Sequence, residues 1–188
     1  MNLTLDLVLE TPRCRLRAPS GADIPHIFSA SRVPGFTAGM LWEPPETPAE
    51  LLAPLGRNLA AWRSGAAYTF TVETRELVFV GRVALRQTAQ GRWNLGFWTH
   101  PEQQGRGYMT EAATAVLNLG FTRLGAEHIE ACHALRNLKS RRVLEKLGLT
   151  FVRRVPEGFQ KNGVWIAEDC LGVSRGEWTE LHKTVPIP

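Results

Sequence analysis

Apolar positions along this chain recur at two different periods, and the change from one to the other outlines its architecture. Leu51, Leu52, Leu55, Leu59 and Trp62 fall at three- and four-residue steps, the spacing of a helix with one buried face. Thr47, with Pro48 next and Glu50 three residues on, forms a capping box at its start. Pro54 lies early enough to kink this helix. Upstream, residues 14–18 read as a short strand and residues 19–23 as a turn. Ser20 or Asp23 would then cap a helix through Ile24, Ile27 and Phe28.

Between residues 68 and 99 the period becomes two. Residues 68–72 alternate, residues 77–85 are mostly apolar around Gly81, and residues 93–99 form a third run, so an antiparallel meander is expected. Gly81 within its strand marks a bulge or a close approach. A helix over residues 109–124 follows, with Ala113, Val116, Leu117 and Phe121 on one face and Gly125 at its end. Residues 128–134 read as a strand. Asn137 starts another helix with Leu138, Val143, Leu144 and Leu147 inward, closed by Gly148. A short strand over 149–153, a loop or wide hairpin over 156–163 and a last strand over 164–173 complete the order. The expectation is a mixed α/β fold, α+β in class, forming one domain over 1–188 with its core at about 12–178.

Residues 33–48 contain several prolines and glycines and read as a loop, yet hold Phe36, Met40, Leu41 and Trp42. Apolar side chains on a long loop either line a site or plug the edge of the core.

The 188 residues suit one compact domain, with 44% hydrophobic and 21% charged residues typical of a globular protein. A net charge of +4 favours an anionic ligand. The cations are dispersed apart from Arg141-Arg142 and Arg153-Arg154, and no RNA-binding signature is present. Nucleic acid is therefore not expected as a partner. The N-terminal ten residues lack a basic segment and are broken by Asp6, so they do not read as a secretory signal. No apolar run reaches membrane-spanning length. A cytoplasmic protein without membrane association is expected.

Cys14, Cys132 and Cys170 are odd in number and widely spaced. This argues against a disulfide framework or a metal site and for reduced, buried thiols. Cys132 and His133 would point to opposite faces of their strand, which separates them as a nucleophile and base.

The turn from strand to helix at Gln104-Gly105-Arg106-Gly107-Tyr108-Met109-Thr110 carries the most chemistry. Two glycines let backbone N–H groups approach a ligand, and the helix behind them offers unpaired N–H groups and a positive dipole end. Together they make a phosphate cradle. Thr110 stands where a dinucleotide fingerprint has its third glycine, and no Gly-Lys-Ser/Thr follows. On this turn alone, a ligand-free glycine turn is an equal reading.

A second segment changes that balance. Asn137-Leu138-Lys139-Ser140-Arg141-Arg142-Val143-Leu144-Glu145-Lys146-Leu147-Gly148-Leu149 follows the glycine turn and the strand after it. With this pair of motifs the chain resembles the GNAT acetyltransferase superfamily, in its RimJ/RimL branch of ribosomal-protein N-terminal acetyltransferases. Gly176-Glu177-Trp178 is similar to the branch's terminal motif. Met109 departs from the family's small residue, and Leu144 from the tyrosine acid of many relatives.

The resemblance implies acetyl-coenzyme A as co-substrate, no metal, and a primary amine acceptor, either a protein N-terminus or a small molecule. It implies a sheet whose strands over 93–99 and 128–134 splay around the pantetheine arm. Backbone groups of Phe97, Trp98 and Thr99 would pair with that arm, and one N–H would polarise the thioester carbonyl. Gln104, Gly105, Arg106, Gly107, Tyr108, Met109 and Thr110 would hold the pyrophosphate. Asn137 would bond the pantetheine, and Ser140 would also touch the cofactor and protonate the departing thiolate. Many relatives place a glutamate general base where Asn94 stands here. Glu73, His100 and Glu102 are the replacements to consider, beside deprotonation through water. The apolar loop with Trp98 would shape the acceptor pocket. A homodimer is common in the branch. The rival readings are a catalytically silent acyl-CoA-binding or regulatory protein on the same fold, and a basic nucleic-acid-binding domain.

Overall fold

The computed structural model describes residues 3–183. One sheet of eight strands organises it, in the order β1-β2-β3-β4-β5-β6-β8-β7. The strands are β1 (Val8–Glu10), β2 (Cys14–Arg17), β3 (Ala67–Thr74), β4 (Phe79–Ala89), β5 (Arg92–Thr99), β6 (His128–Ala134), β7 (Thr150–Lys161) and β8 (Val164–Ser174). The helices are α1 (Ile24–Ser31), α2 (Leu52–Ser64), α3 (Tyr108–Thr122), α4 (Leu138–Lys146) and α5 (Arg175–His182). Every neighbouring pair is antiparallel except β5 and β6, which are parallel.

The meander and the helices α3 and α4 lie where the periodicity puts them. Ala113, Val116 and Leu117 of α3 are fully buried against the sheet. At Gly120 the helix approaches so closely that a Cβ would lie 2.9 Å from Ile129 Cδ1 and 3.0 Å from Leu85 Cδ1. Trp62 of α2 is sealed edge-on against Tyr68 and Phe70, with centroids 5.4 and 4.8 Å apart. Its indole N–H donates to the Leu3 carbonyl, which binds the N-terminal strap to the core. Losing such a buried aromatic costs about 3–5 kcal/mol.

Gly81 is both a bulge site and a close approach. The β3–β4 register shifts beside it, between Val72 and Glu73. A Cβ on Gly81 would stand 2.2 Å from the Trp98 carbonyl oxygen.

Several expectations are corrected. Leu52 is exposed, because Pro48–Leu51 forms a separate 3-10 turn and the α-helix begins only at Leu52. Leu138 is exposed as the first residue of α4. Residues 150–161 form one strand that continues past the expected short strand, so 156–163 is no loop but part of a β7–β8 hairpin, with the register shift between Val155 and Phe159 absorbing Pro156 and Gly158. β1 and α5 are additional elements; α5 starts at a Ser174–Glu177 capping box.

Cys132 and Cys170 lie directly opposite one another on β6 and β8 and form a disulfide. This overturns the expectation of three reduced thiols: wide separation in sequence became adjacency through strand pairing. Cys14 is the free, buried cysteine, and burial pushes its thiol up to about 11.

Candidate functional site

β5 and β6 pair over only three rungs, Arg92 with His128, Trp93 with Ile129 and Asn94 with Glu130. Beyond them β5 stays paired with β4 as far as Thr99, and β6 stays paired with β8 as far as Ala134. Both strands therefore continue while separating from each other, which opens a cleft in the middle of the sheet.

The register decides which backbone groups look into this cleft. His100 N–H donates to the Val80 carbonyl at 2.8 Å. Antiparallel pairs alternate between bonded and non-bonded, so Trp98 and Gly96 also direct their backbone groups at β4. Phe97 and Thr99 turn theirs toward the cleft. The Thr99 carbonyl accepts from Gln104 Nε2 at 3.3 Å, consistent with that direction. Trp98 thus contributes its side chain, while its backbone is directed to β4.

The glycine turn closes one end of the cleft. Gly105 and Gly107 have φ of +79° and +80°, values that favour glycine. No atom lies within 4 Å of a Cβ built on Gly105. Gly107 is the N-cap of α3 and supplies no side-chain cap. The Glu111 N–H bonds to the Gly107 carbonyl, which leaves those of Tyr108, Met109 and Thr110 ahead of the helical ladder. Met109 is buried in the core, so its bulk does not obstruct the turn.

A strap braces this turn from outside. Glu111 Oε1 accepts from Thr11 Oγ1 at 2.6 Å and from the Arg13 N–H at 2.7 Å, and its Oε2 from Arg13 Nε at 2.6 Å. Arg13 also donates to the Arg106 carbonyl at 3.0 Å and lies over the Tyr108 ring. Nothing in the local sequence links Thr11 and Arg13 to a turn so far along the chain. Glu111, an acid in the first helical turn, was the one readable signal.

α4 flanks the other wall. Asn137 Oδ1 accepts from the Ser140 N–H at 3.1 Å, a helix N-cap. Lys139 Nζ donates to Gln104 Oε1 at 2.9 Å, tying α4 to the glycine turn. The Ser140 hydroxyl makes no hydrogen bond among the described residues and is half-buried.

Across the sheet, Trp98 packs among Phe36, Trp42 and Phe79, with centroids 5.5, 6.5 and 5.8 Å away. The 33–48 loop therefore packs on Trp98 through Phe36 and Trp42, and Trp42 and Trp98 sit on the small core cluster of Ile27, Leu51 and Phe79, while Leu41 is 73% exposed. Lys161, at the tip of the β7–β8 hairpin, donates to the Met40 and Trp42 carbonyls and pairs with Glu43. Loop and hairpin together wall this side.

The three replacement bases sit on separate elements, β3 and the capped 3-10 turn after β5. Glu73 is on β3, with β4 between it and β5, and its Oε1 is held by Arg17 at 2.5 Å. Arg17 also binds Asp23 at 2.7 Å. Burial raises the Asp23 carboxyl, but hydrogen bonds from Arg17, Thr71 and Ser20 outweigh it and hold the group below its ordinary value. His100 accepts from the Glu102 N–H, lies 3.2 Å from Ser29 Oγ and caps a 3-10 turn. Glu102 is exposed on that turn.

His133 is buried, its Nδ1 2.9 Å from the Ala134 carbonyl. It lines a cavity of about 310 Å³ with Arg141 and Glu145 of α4 and Asp169 of β8, to which β5 contributes nothing. Among the described residues, no group of three or more His, Cys, Asp or Glu is arranged to hold a metal. No described helix is long and apolar enough to cross a membrane.

Residues 13–150 match the model of the acetyltransferase (GNAT) domain. The chain belongs to the GNAT acetyltransferase family. Among curated relatives, it is 34% identical to the probable N-acetyltransferase YjcK of Bacillus subtilis over 97 residues, covering 50% of this chain and 54% of YjcK. The chain spans about half the length of the curated relatives it matches. The GNAT fold is shared with a putative ribosomal-protein-serine acetyltransferase from Vibrio cholerae. That structure has a TM-score of 0.81 and 23% identity, with 92% of this chain and 99% of the other covered. The structure of RimL, a ribosomal L7/L12 alpha-N-protein acetyltransferase in complex with coenzyme A, superposes with a TM-score of 0.80. Identity there is 14%, over 89% of this chain and 98% of RimL.

Proposed function

We propose that this chain binds acetyl-coenzyme A in the cleft between β5 and β6 and transfers the acetyl group to a primary amine by direct attack. The observation that carries this reading is the loss of β5–β6 pairing after Asn94 and Glu130, next to an uncapped α3 N-terminus.

The residues present fit such a ligand. The open space at Gly105 and the N–H groups of Tyr108, Met109 and Thr110 suit a pyrophosphate. Arg106 is exposed beside them and adds a cation. Phe97 and Thr99 offer the cleft a strand edge, which an extended pantetheine amide chain would complete. Asn137 has its Oδ1 occupied by the helix cap and retains Nδ2 for a ligand carbonyl.

When bound, acetyl-coenzyme A supplies an acetyl group activated as a thioester. The Phe97 N–H, fixed by the sheet, would stabilise negative charge developing on the carbonyl oxygen. The Ser140 hydroxyl, free of other partners, would hold the proton needed by the leaving sulfur. Phe36, Trp42 and Trp98 would exclude water from the acceptor side. The acceptor is a protein N-terminus or a small amine, and the walled acceptor side suits a slender chain in either case. The homodimer implied by the family branch would be read from light scattering.

A silent acyl-CoA-binding protein is favoured by one observation. Asn94, at the usual base position, donates its amide to the Glu130 carbonyl at 3.3 Å. Release of free thiol from acetyl-coenzyme A, with a panel of amines and N-terminal peptides, separates the two. Amine-dependent release supports transfer; tight binding without release supports the silent protein.

A further inference from the structure

One short segment of the 33–48 loop touches both walls of the cleft. On the β5 side, Phe36 and Trp42 pack on Trp98, with centroids 5.5 and 6.5 Å away, and on each other at 6.2 Å. Trp98 lies past the last rung that joins β5 to β6. On the other side, a Cβ built on Gly39 would stand 3.2 Å from Asn137 Nδ2. Asn137 follows β6 and starts α4. The chain from Phe36 to Trp42 therefore crosses from wall to wall where the two strands have separated.

This crossing has little to hold it from within. The Ala38 N–H bonds to the Gly35 carbonyl at 3.2 Å and the Met40 N–H to the Thr37 carbonyl at 3.0 Å. Such turns close local rings and do not attach the segment to the sheet. Arg32, at the end of α1, donates to the Pro45 carbonyl and fixes the returning strand of the loop. The crossing itself is held by Lys161.

The Lys161 side chain is only 10% exposed. Its Nζ donates to the Met40 carbonyl at 3.3 Å and to the Trp42 carbonyl at 2.9 Å, and stands 2.9 Å from Glu43 Oε2. An ammonium has three N–H donors, and three acceptors from one loop meet them. The β7–β8 hairpin carries the lysine to this place. β6 pairs with β8 only as far as Ala134 and Glu168, whereas β7 and β8 run on through Phe159–Ile166, Gln160–Trp165 and Lys161–Val164. Asn162 and Gly163 reverse the chain with φ of +51° and +77°, the positive pair of a tight two-residue hairpin turn. Lys161 is thus fixed on the last rung of an overhang whose end meets the loop.

We propose that Lys161 latches the segment over 36–43 as a lid across the acceptor end of the cleft, and thereby sets which amines are acetylated. This rests on the acetyl-transfer reading. With the latch made, the three rings stay together and Gly39 stays against Asn137, so the passage admits a slender, unbranched amine and turns away a branched one. The ammonium is fully engaged by the backbone and Glu43, so it offers no free cation to an acidic acceptor, and the rings make the passage apolar. Lys161 is a positioning residue: it acts through the loop and not at the thioester.

The test is Lys161→Met, which keeps an unbranched apolar stem and removes all three donors. The Met40 and Trp42 carbonyls can then find water only if the segment swings outward. Hydrogen exchange of the amides over 36–43 should quicken about tenfold, with α3 and the meander unchanged. In thiol-release kinetics, KM for an unbranched alkylamine should rise about tenfold as the binding-competent lid becomes less populated. KM for a branched alkylamine should not rise, so the preference for the unbranched one narrows, while coenzyme A affinity stays within about twofold. Lys161→Arg keeps charge and donors and should restore part of the preference. Should Lys161→Met melt early, Glu43→Gln takes its place and should move exchange and preference the same way by about threefold.

Unchanged amine preference in the variant used, or equal losses for both amines together with a matching loss of coenzyme A affinity, would overturn the latch. Transfer by wild type alongside that result leaves the acetyl-transfer reading standing. A wild type that binds coenzyme A but acetylates no amine overturns that reading and the role in acceptor choice together.

Discussion

Asn94 donates its side-chain amide to the backbone carbonyl of Glu130 at 3.3 Å, on the last rung that joins β5 to β6. The amide ties the apex of the cleft. An aspartate there would set a carboxylate against a carbonyl oxygen, so the polar residue at this position serves geometry here. That places the burden of proton removal elsewhere in the site.

The glycine turn is the first point at which to test cofactor binding. Gly107→Asp places a carboxylate beside the pyrophosphate site on a backbone with φ of +80°, with its Cβ 3.3 Å from Arg13 Nη2. Charge repulsion and strain act together, and coenzyme A affinity by calorimetry should fall by about a hundredfold or more. Affinity equal to wild type would remove the cradle assignment.

Under the proposed function Ser140 protonates a thiolate, which is already a fair leaving group. Ser140→Ala should lower kcat about tenfold and leave KM for acetyl-coenzyme A nearly unchanged. The Asn137 cap bonds the Ser140 backbone N–H, so α4 should keep its start in the variant. Steady-state kinetics with a single amine decide this.

Glu111 links the glycine turn to the N-terminal strap. Burial alone would raise its carboxyl, but hydrogen bonds from Thr11 and from the Arg13 N–H and guanidinium hold it below the ordinary 4.5. A carboxyl lowered by folding contributes stability that is present above its unfolded value and lost as pH falls through its folded one. Wild type should therefore lose thermal stability on acidification below about 4.5, and Glu111→Gln should show a shallower acid slope. The variant should also raise KM for acetyl-coenzyme A about fivefold, the equivalent of one lost hydrogen bond, with kcat retained.

The Cys132–Cys170 bond is checked by counting thiols. Protein denatured without reductant should yield one reactive thiol per chain, from Cys14. Three would show that the pair stays reduced in solution. The bond spans a sequence separation of 38, for which loop-closure entropy gives about 4 kcal/mol. Reductant should accordingly lower the melting temperature.

What was legible in the sequence was mostly local. The Ala113-Val116-Leu117 face of α3, the capping box at Thr47 and the Asn137 cap all depend on neighbours within one or two helical turns, and all three are present, although the Thr47 box starts the 3-10 turn over Pro48–Leu51 and not α2 itself. The glycine turn before α3 and the segment that forms α4 were legible for the same reason. Elements that depend on strand register were not. Cys132 meets Cys170 only once β6 pairs β8. β7 resembles a loop because Pro156 and Gly158 sit in its bulge. The Thr11-Arg13-Glu111 brace crosses most of the domain, so no window of sequence contains it. α5 is the exception. Its Ser174–Glu177 capping box was present in the sequence and is a local signal.

Thiol release from acetyl-coenzyme A, measured with wild-type protein against alkylamines and N-terminal peptides, bears most directly on the central claim. The cleft, the glycine turn and Ser140 predict release that requires an amine, saturates with acetyl-coenzyme A and yields the N-acetylated acceptor by mass spectrometry. Saturable binding of coenzyme A with no amine-dependent release on any acceptor would contradict it.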